Sequence, residues 1–215
     1  MDMLLESRAV PSFYKNGFLL GCEHTRDAVV IDPGDEIEDL LEIVRTRHLH
    51  VTSILLTHGH VDHVAGVAKA KAALDAVIYI HEEDVFLYRA AGQQAQNLGF
   101  EMDPPPRIDR FYDPQQPIPF GNYEVRVHHT PGHSPGAICL QVGPAGQPGK
   151  KLFVGDTLFA GSIGRTDLPG GSYETLMRSI RNVLFAFGDD AEVYPGHGPA
   201  TTIGQERRTN PFLQG

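Results

Sequence analysis

Five apolar runs in this chain stop abruptly at turn-forming residues, and that repetition constrains the fold more than any other feature. They are Ala28 to Ile31 before Asp32-Pro33-Gly34, Ser53 to Leu56 before Thr57-His58-Gly59, Tyr123 to Val127 before His128-His129-Thr130-Pro131-Gly132, Lys151 to Val154 before Gly155-Asp156, and Ala191 to Tyr194 before Pro195-Gly196-His197. Runs of that length bounded by Gly and Pro read as strands. Between them lie helical patterns: Glu36 to Arg47, with Ile37, Leu40, Leu41 and Val44 on one face, and Tyr173 to Leu184, with Leu176, Met177, Ile180 and Leu184. A weaker helix is expected after Asp62 and another through Glu82 to Ala91, with Gln93 to Asn97 as a helix end or surface loop. Strands alternating with helices indicate an α/β layered fold.

Four of the strand-and-turn segments deliver residues of one chemical kind. Thr57-His58-Gly59-His60-Val61-Asp62-His63 packs three imidazoles and a carboxylate into a few positions, and His133, Asp156 and His197 each follow a later strand. If those strands end along one edge, five histidines and two aspartates line one cavity, held by rigid strand ends as a metal site requires. His58 and His60, two apart, can point to the same side, while Asp62 and His63 project differently as the next helix begins; that spacing suits two adjacent ions better than one. Histidine nitrogen with carboxylate oxygen is the ligand set of zinc, iron or manganese, whereas magnesium and calcium prefer oxygen alone. Any one of these segments could be a polar turn with no shared role; four together point to metal. His24, His48, His50 and His81 fall outside the segments and read as surface or capping residues, and His128 and His129 end a strand without matching a ligand position.

Several function classes are disfavoured. The net charge of −9, with no cluster of Lys and Arg, speaks against nucleic-acid binding. No stretch approaches the roughly 18 consecutive apolar residues of a membrane span, and Met1 to Pro11, carrying Asp2 and Glu6, does not read as a signal peptide. Cys22 and Cys139 sit in apolar segments as small buried hydrophobes and make no disulfide framework, which fits a reducing cytoplasm. The proline-rich segment from Met102 to Phe120 is a natural place to divide the chain, but the candidate ligands fall on both sides of it. A single domain over residues 1–215 is therefore expected, in an oligomeric state the sequence leaves open.

The pattern His58-x-His60-x-Asp62-His63, followed by His133, Asp156 and His197, resembles the signature of the metallo-β-lactamase superfamily. Ile31-Asp-Pro-Gly34, Gly155-Asp-Thr-Leu-Phe159, Gly164-Arg-Thr-Asp-Leu-Pro-Gly170 and Asn210-Pro-Phe-Leu213 resemble its short hydroxyacylglutathione hydrolase-like, or glyoxalase II-like, branch. The resemblance implies an αββα sandwich of two mixed sheets with helices outside and metals at one edge. It implies one divalent ion on His58, His60 and His133, another on Asp62, His63 and His197, and Asp156 bridging them; zinc is the first expectation, with iron or manganese as alternatives. Position 60 bears a histidine where the flavodiiron branch usually has a carboxylate. Asp32 either braces the His58 loop or merely forms the turn before Pro33-Gly34.

The activity implied is hydrolysis of a small-molecule thioester, S-D-lactoylglutathione or a related acyl thioester, by a hydroxide bridging the ions and oriented by Asp62. A thiolate, with a thiol pKa near about 8.5, leaves without a general acid, whereas an amide nitrogen must be protonated first. Two departures leave glutathione open. Eighteen residues follow His197 in the 215-residue chain, where full-length glyoxalase II enzymes carry a helical domain that contributes to the glutathione contact. The loop after Asp156 has Arg165 with Asp167 where glyoxalase II commonly places a lysine and then a tyrosine; Arg165 either grips a substrate carboxylate or pairs with Asp167. The rival readings are an iron-dependent persulfide dioxygenase using His58, His133 and Asp156, and a lactonase or β-lactamase on the same ions. A nuclease would bring a basic face, and a retired binding scaffold would have lost ligands.

Overall fold

The computed structural model describes residues 3–10, 15–34 and 37–214. Met1, Asp2 and Pro11 of the opening stretch, and Glu36 at the expected head of the first helix, lie outside the described residues. Two six-stranded sheets form the frame. The first sets β1 (Met3–Val10), β2 (Lys15–Cys22), β3 (Asp27–Ile31), β4 (His50–Leu55), β5 (Val77–Ile80) and β6 (Arg110–Phe111) side by side, antiparallel through β3 and parallel beyond it. The second comprises β7 (Ile118–Phe120), β8 (Tyr123–His129), β9 (Ile138–Pro144) and β10 (Lys151–Gly155) and, past a small ribbon of β11 (Leu158–Phe159) and β12 (Ser162–Ile163), β13 (Glu192–Pro195) and β14 (Thr201–Thr202). Its order is β14-β13-β10-β9-β8-β7, with β10 and β13 parallel. The helices are α1 (Glu38–Thr46), α2 (Val61–Val64), α3 (Val67–Leu74), α4 (Val85–Asn97), α5 (Tyr173–Asn182) and α6 (Ile203–Thr209).

Alternate residues of each strand point to opposite faces, and the apolar side chains sort accordingly into three layers. Val29, Ile31 and Leu55 turn inward and meet Val125, Ile138, Leu140 and Phe153 of the facing sheet. Their neighbours Ala28, Val30 and Ile54 turn outward onto Leu40 and Val44 of α1, Val67 of α3 and Tyr88 of α4. On the other side Leu152 and Val154, flanking the inward Phe153, pack on Leu176 and Ile180 of α5 and Ile203 of α6. The result is the expected αββα sandwich.

The five expected strands are present, each shifted or extended by a few residues at most. The hairpin β1–β2 and strands β5 and β9 were not anticipated: β9 is buried on both faces, so its sequence shows no alternation. The helix expected after Asp62 is split at Ala65 and Gly66 into α2 and α3. The one expected over Glu82 to Ala91 is a 3-10 turn, Glu82–Asp84, followed by α4, whose end Gln93 to Asn97 form. The helix expected to reach Leu184 stops at Asn182, and a 3-10 turn, Leu184–Phe187, follows. The proline-rich segment carries β6 into one sheet and β7 into the other, so it is the crossover between sheets, and residues from both sides of it share the inner layer.

The carboxyl ends of β3, β4, β10 and β13 meet at one edge of the sandwich, where ligands of α/β sheets characteristically bind. Lys15 at the start of β2 bridges to His197 there. The Asn16 side chain donates to the carbonyls of Pro195 and Gly198 at 3.1 and 2.8 Å, which fixes the turn carrying His197.

Candidate metal centre

Asp32, the residue after β3, has a left-handed backbone (φ 45°) that aspartate tolerates better than most side chains. Its buried carboxylate accepts the Thr57 N–H at 2.7 Å and the Thr57 hydroxyl at 2.6 Å, and it takes the Nδ1–H of His63 at 2.8 Å. The Thr57 oxygen lies 3.1 Å from His58 Nδ1. Asp32 thus contacts the His63 ring directly and the His58 ring through Thr57. His133, in the turn after β8, directs Nδ1 at the Arg165 carbonyl at 2.8 Å. In all three rings Nδ1 is committed outward, which leaves Nε2 to face the centre.

The seven candidate ligands converge in two groups, His58 with His60 and His133, and Asp62 with His63, Asp156 and His197; within each, one ligand atom per residue lies within 4.8 Å of the others. Asp156 faces both: its oxygens lie 3.3 Å from His63 Nε2, 3.6 Å from His197 Nε2 and 3.6 Å from His133 Nε2. Four buried atoms, Nε2 of His58, His60 and His63 and Oδ1 of Asp156, have no hydrogen-bond partner. Each such atom costs about 1–3 kcal/mol to bury. His60 turns Nδ1 toward its group, 2.8 Å from His133 Nε2; Nε2 of His58 and His63 and Oδ1 of Asp156, left without partners among the candidate ligands, fit a bound cation better than a packed core. A donor set of imidazole and carboxylate is right for zinc, iron or manganese.

The halves differ electrostatically. Burial, then the neighbouring histidines, push His58 well below the ordinary imidazole range, and burial followed by His133 lowers His60 to about 4. Burial opposes the charged form of His63 too, yet Asp62, Asp156 and Asp32 outweigh it and raise the ring to about 10. His197 is raised against its burial by the hydrogen bond it donates to Asp62 and by Asp156. The same pairing, led by His63, holds Asp62 and Asp156 below the usual carboxylate range although burial alone would lift them. In the metal-free chain, His63 therefore carries a proton where a cation is called for.

A cavity of about 510 Å³ opens onto both groups. Leu87, Gln94 and Asn97 of α4 with Leu98 form one wall, and Arg165, Leu168 and Pro169 form another. Arg165 lines the cavity, but its guanidinium forks onto Asp167 at 2.7 Å through both Nε and Nη2, and both side chains are exposed. A second cavity of about 560 Å³, beneath the proline-rich segment at Tyr88, Pro105 and Phe111, contains none of the candidate ligands.

The remaining histidines lie elsewhere. His24, His48 and His50 are exposed, and His81 caps the 3-10 turn through the Glu83 N–H. His128 contacts Gln141, and His129 contacts the Pro135 carbonyl and stacks on His81, with Glu83 beside them, away from the seven. Sequence reasoning missed Asn16 and the cavity walls of α4. It also missed Asp84, although Val77–Ile80 ending at His81-Glu-Glu-Asp84 repeats the order of strand, turn and carboxylate that singled out the other segments.

The sequence matches the metallo-beta-lactamase superfamily over residues 12–197. It is 38% identical over 218 residues to the hydroxyacylglutathione hydrolase GloC of Haemophilus influenzae, covering 98% of each chain. Among solved structures, TTHA1623 in a di-iron-bound form matches with a TM-score of 0.84 and 40% identity over 97% of this chain and 100% of that one. The BLEG-1 B3 metallo-beta-lactamase matches with a TM-score of 0.88 and 32% identity over 99% and 100%.

Proposed function

We infer the activity of this chain from one premise: it belongs to the metallo-beta-lactamase superfamily. It is a metal-dependent hydrolase by that kinship, and the thioester is the substrate class its site favours. His58, His60 and His133 would hold one divalent ion and Asp62, His63 and His197 the second, with Asp156 facing both groups. Zinc is the proposed metal, with iron or manganese acceptable to the same ligands; the relative TTHA1623 has a di-iron-bound form.

One observation carries the choice of substrate. Among the described residues lining the cavity there is no serine, threonine, cysteine, lysine or tyrosine, which favours a water nucleophile and a leaving group that needs no dedicated acid. Two ions held there would supply the missing nucleophile, by lowering the pKa of a water from about 15.7 to about 7, and would polarise the carbonyl. Asp62, partly exposed to the cavity and hydrogen-bonded to His197 at 3.0 Å, orients the attacking water. The leaving group must then depart unassisted, which a thiolate does and an amine does not. The name of the Haemophilus relative points to a glutathione thioester such as S-D-lactoylglutathione. Arg165 is the residue that would take a glutathione carboxylate by exchanging it for Asp167.

The test is elemental analysis of the purified protein together with assays on acyl thioesters, a lactone, a β-lactam and a persulfide with oxygen uptake recorded. Two ions per chain and turnover confined to thioesters are expected, with Asp62→Asn lowering kcat about a hundredfold or more while the fold and metal content persist. One ion per chain with thiol-dependent oxygen uptake would replace this reading by the dioxygenase. Near-normal turnover in metal-loaded Asp62→Asn would remove Asp62 from the mechanism.

A further inference from the structure

Asp84 is fully buried, and no part of the mechanism above uses it. Its Oδ2 accepts the Gly59 N–H at 2.8 Å and the Ser134 hydroxyl at 2.7 Å, and its Oδ1 accepts the Gly136 N–H at 2.6 Å. Gly59 lies between His58 and His60, and Ser134 follows His133. One carboxylate therefore ties the turn bearing two histidines of the three-histidine group to the turn bearing the third. Both turns are shaped for this approach. A Cβ on Gly59 would stand 2.7 Å from the Asp84 carbonyl oxygen, and one on Gly136 would stand 2.8 Å from the Asp84 nitrogen and 2.9 Å from its carboxylate.

The partners are donors only, so the group is used as an acceptor on both oxygens, and an amide in its place would turn an NH₂ toward a donor. No lysine or arginine among the described residues pairs with it. The positive end of the 13-residue helix α4, which Asp84 immediately precedes, offsets part of the cost of burying the charge. A cation held by the two turns would offset more. The turn that carries Asp84 is itself pinned from outside, where the His81 ring stacks on His129 of β8 with centroids 4.3 Å apart.

We propose that Asp84 is a positioning residue for the three-histidine group, setting the relative placement of His58, His60 and His133 and hence that group's affinity for a divalent ion. The proposal rests on the reading of those histidines as ligands. It requires the effect of Asp84 to be confined to one half of the centre, since no contact joins it to Asp62, His63 or His197, and confinement is what a merely structural role would not produce.

Two single-group backgrounds separate the halves: His63→Ala leaves the three-histidine group intact, and His133→Ala leaves the other. Zn²⁺ affinity is measured in each by competition with a chromophoric chelator, with Asp84→Asn and the milder Ser134→Ala added in turn, and circular dichroism of the metal-free proteins reports the fold. In the His63→Ala background, Asp84→Asn should weaken binding about 10–100-fold and Ser134→Ala should weaken it less. In the His133→Ala background neither should change it more than about threefold. Equal losses in both backgrounds, or no loss from either substitution in a folded protein, overturn the proposal. If Asp84→Asn fails to fold, Ser134→Ala decides by the same contrast. A His63→Ala protein with Asp84 intact that binds no Zn²⁺ overturns the ligand reading itself, and the proposal with it.

Discussion

His58 and His63 have ring centroids only 4.0 Å apart, yet they are held in opposite protonation states, one driven neutral by burial and its histidine neighbours, the other kept charged by three aspartates. An ion entering the Asp62, His63 and His197 group must displace the His63 proton. Affinity there should rise at least tenfold per pH unit from pH 7 upward until the pH passes about 10, and at least one proton should be released at neutral pH, from His63 and in part from the raised His197. In the other group His58 and His60 are already neutral, so they release no proton on binding at pH 7. Calorimetry of Zn²⁺ binding to the His133→Ala protein in buffers of different ionisation enthalpy reads this directly, and a pH-independent affinity would show that His63 is not charged beforehand. The seven candidate ligands were legible because each sits where a strand stops. Asn16 was not, because it acts on backbone groups of a turn distant in sequence and nothing local distinguishes it from an ordinary strand amide; Asp84 shares the order of strand, turn and carboxylate, but it also stands at a helix start, which hides it.

Strands that stop at Gly or Pro could be read to within a few residues, since the breaker marks the end. β9 could not, because it is buried on both faces and shows no alternation even though Pro135-Gly136 precede it, and β2 hides behind Gly17 and Gly21. The helices were legible by their apolar faces, but their breaks at Asp84 and at Ala65-Gly66 are set by how the turns between them dock on the sheets. The loop after β12 carries the remaining functional expectation. Arg165 and Asp167 form an exposed pair, which solvent weakens enough for a substrate carboxylate to replace one partner. Arg165→Ala should accordingly raise KM for a carboxylated thioester about tenfold while changing kcat little, and a carboxyl-free thioester should not register the change. Equal effects on both substrates would reduce Arg165 to a surface ion pair.

Across the whole molecule, the candidate ligands divide between the sheets. His58, His60, Asp62 and His63 follow the first, and His133, Asp156 and His197 follow the second, so each ion would be held from both. Binding that requires the assembled sandwich stabilises it by mass action. Stripping both ions with a chelator should lower Tm by roughly 10 °C, in one transition if residues 1–215 unfold as the single domain we propose. A Tm indifferent to demonstrated metal loss would mean that the edge forms independently of the ions. The division has a further consequence in time. If both groups hold ions as proposed, the sheets would not part at this edge until an ion is surrendered, so the lifetime of a loaded molecule should follow ion release, while an unloaded one should open at the rate its apolar layers allow. Proteases act on the opened form. On that proposal, copies that never acquire their ions should be the ones removed first, and the clasp proposed to make a molecule active would also set how long it lasts.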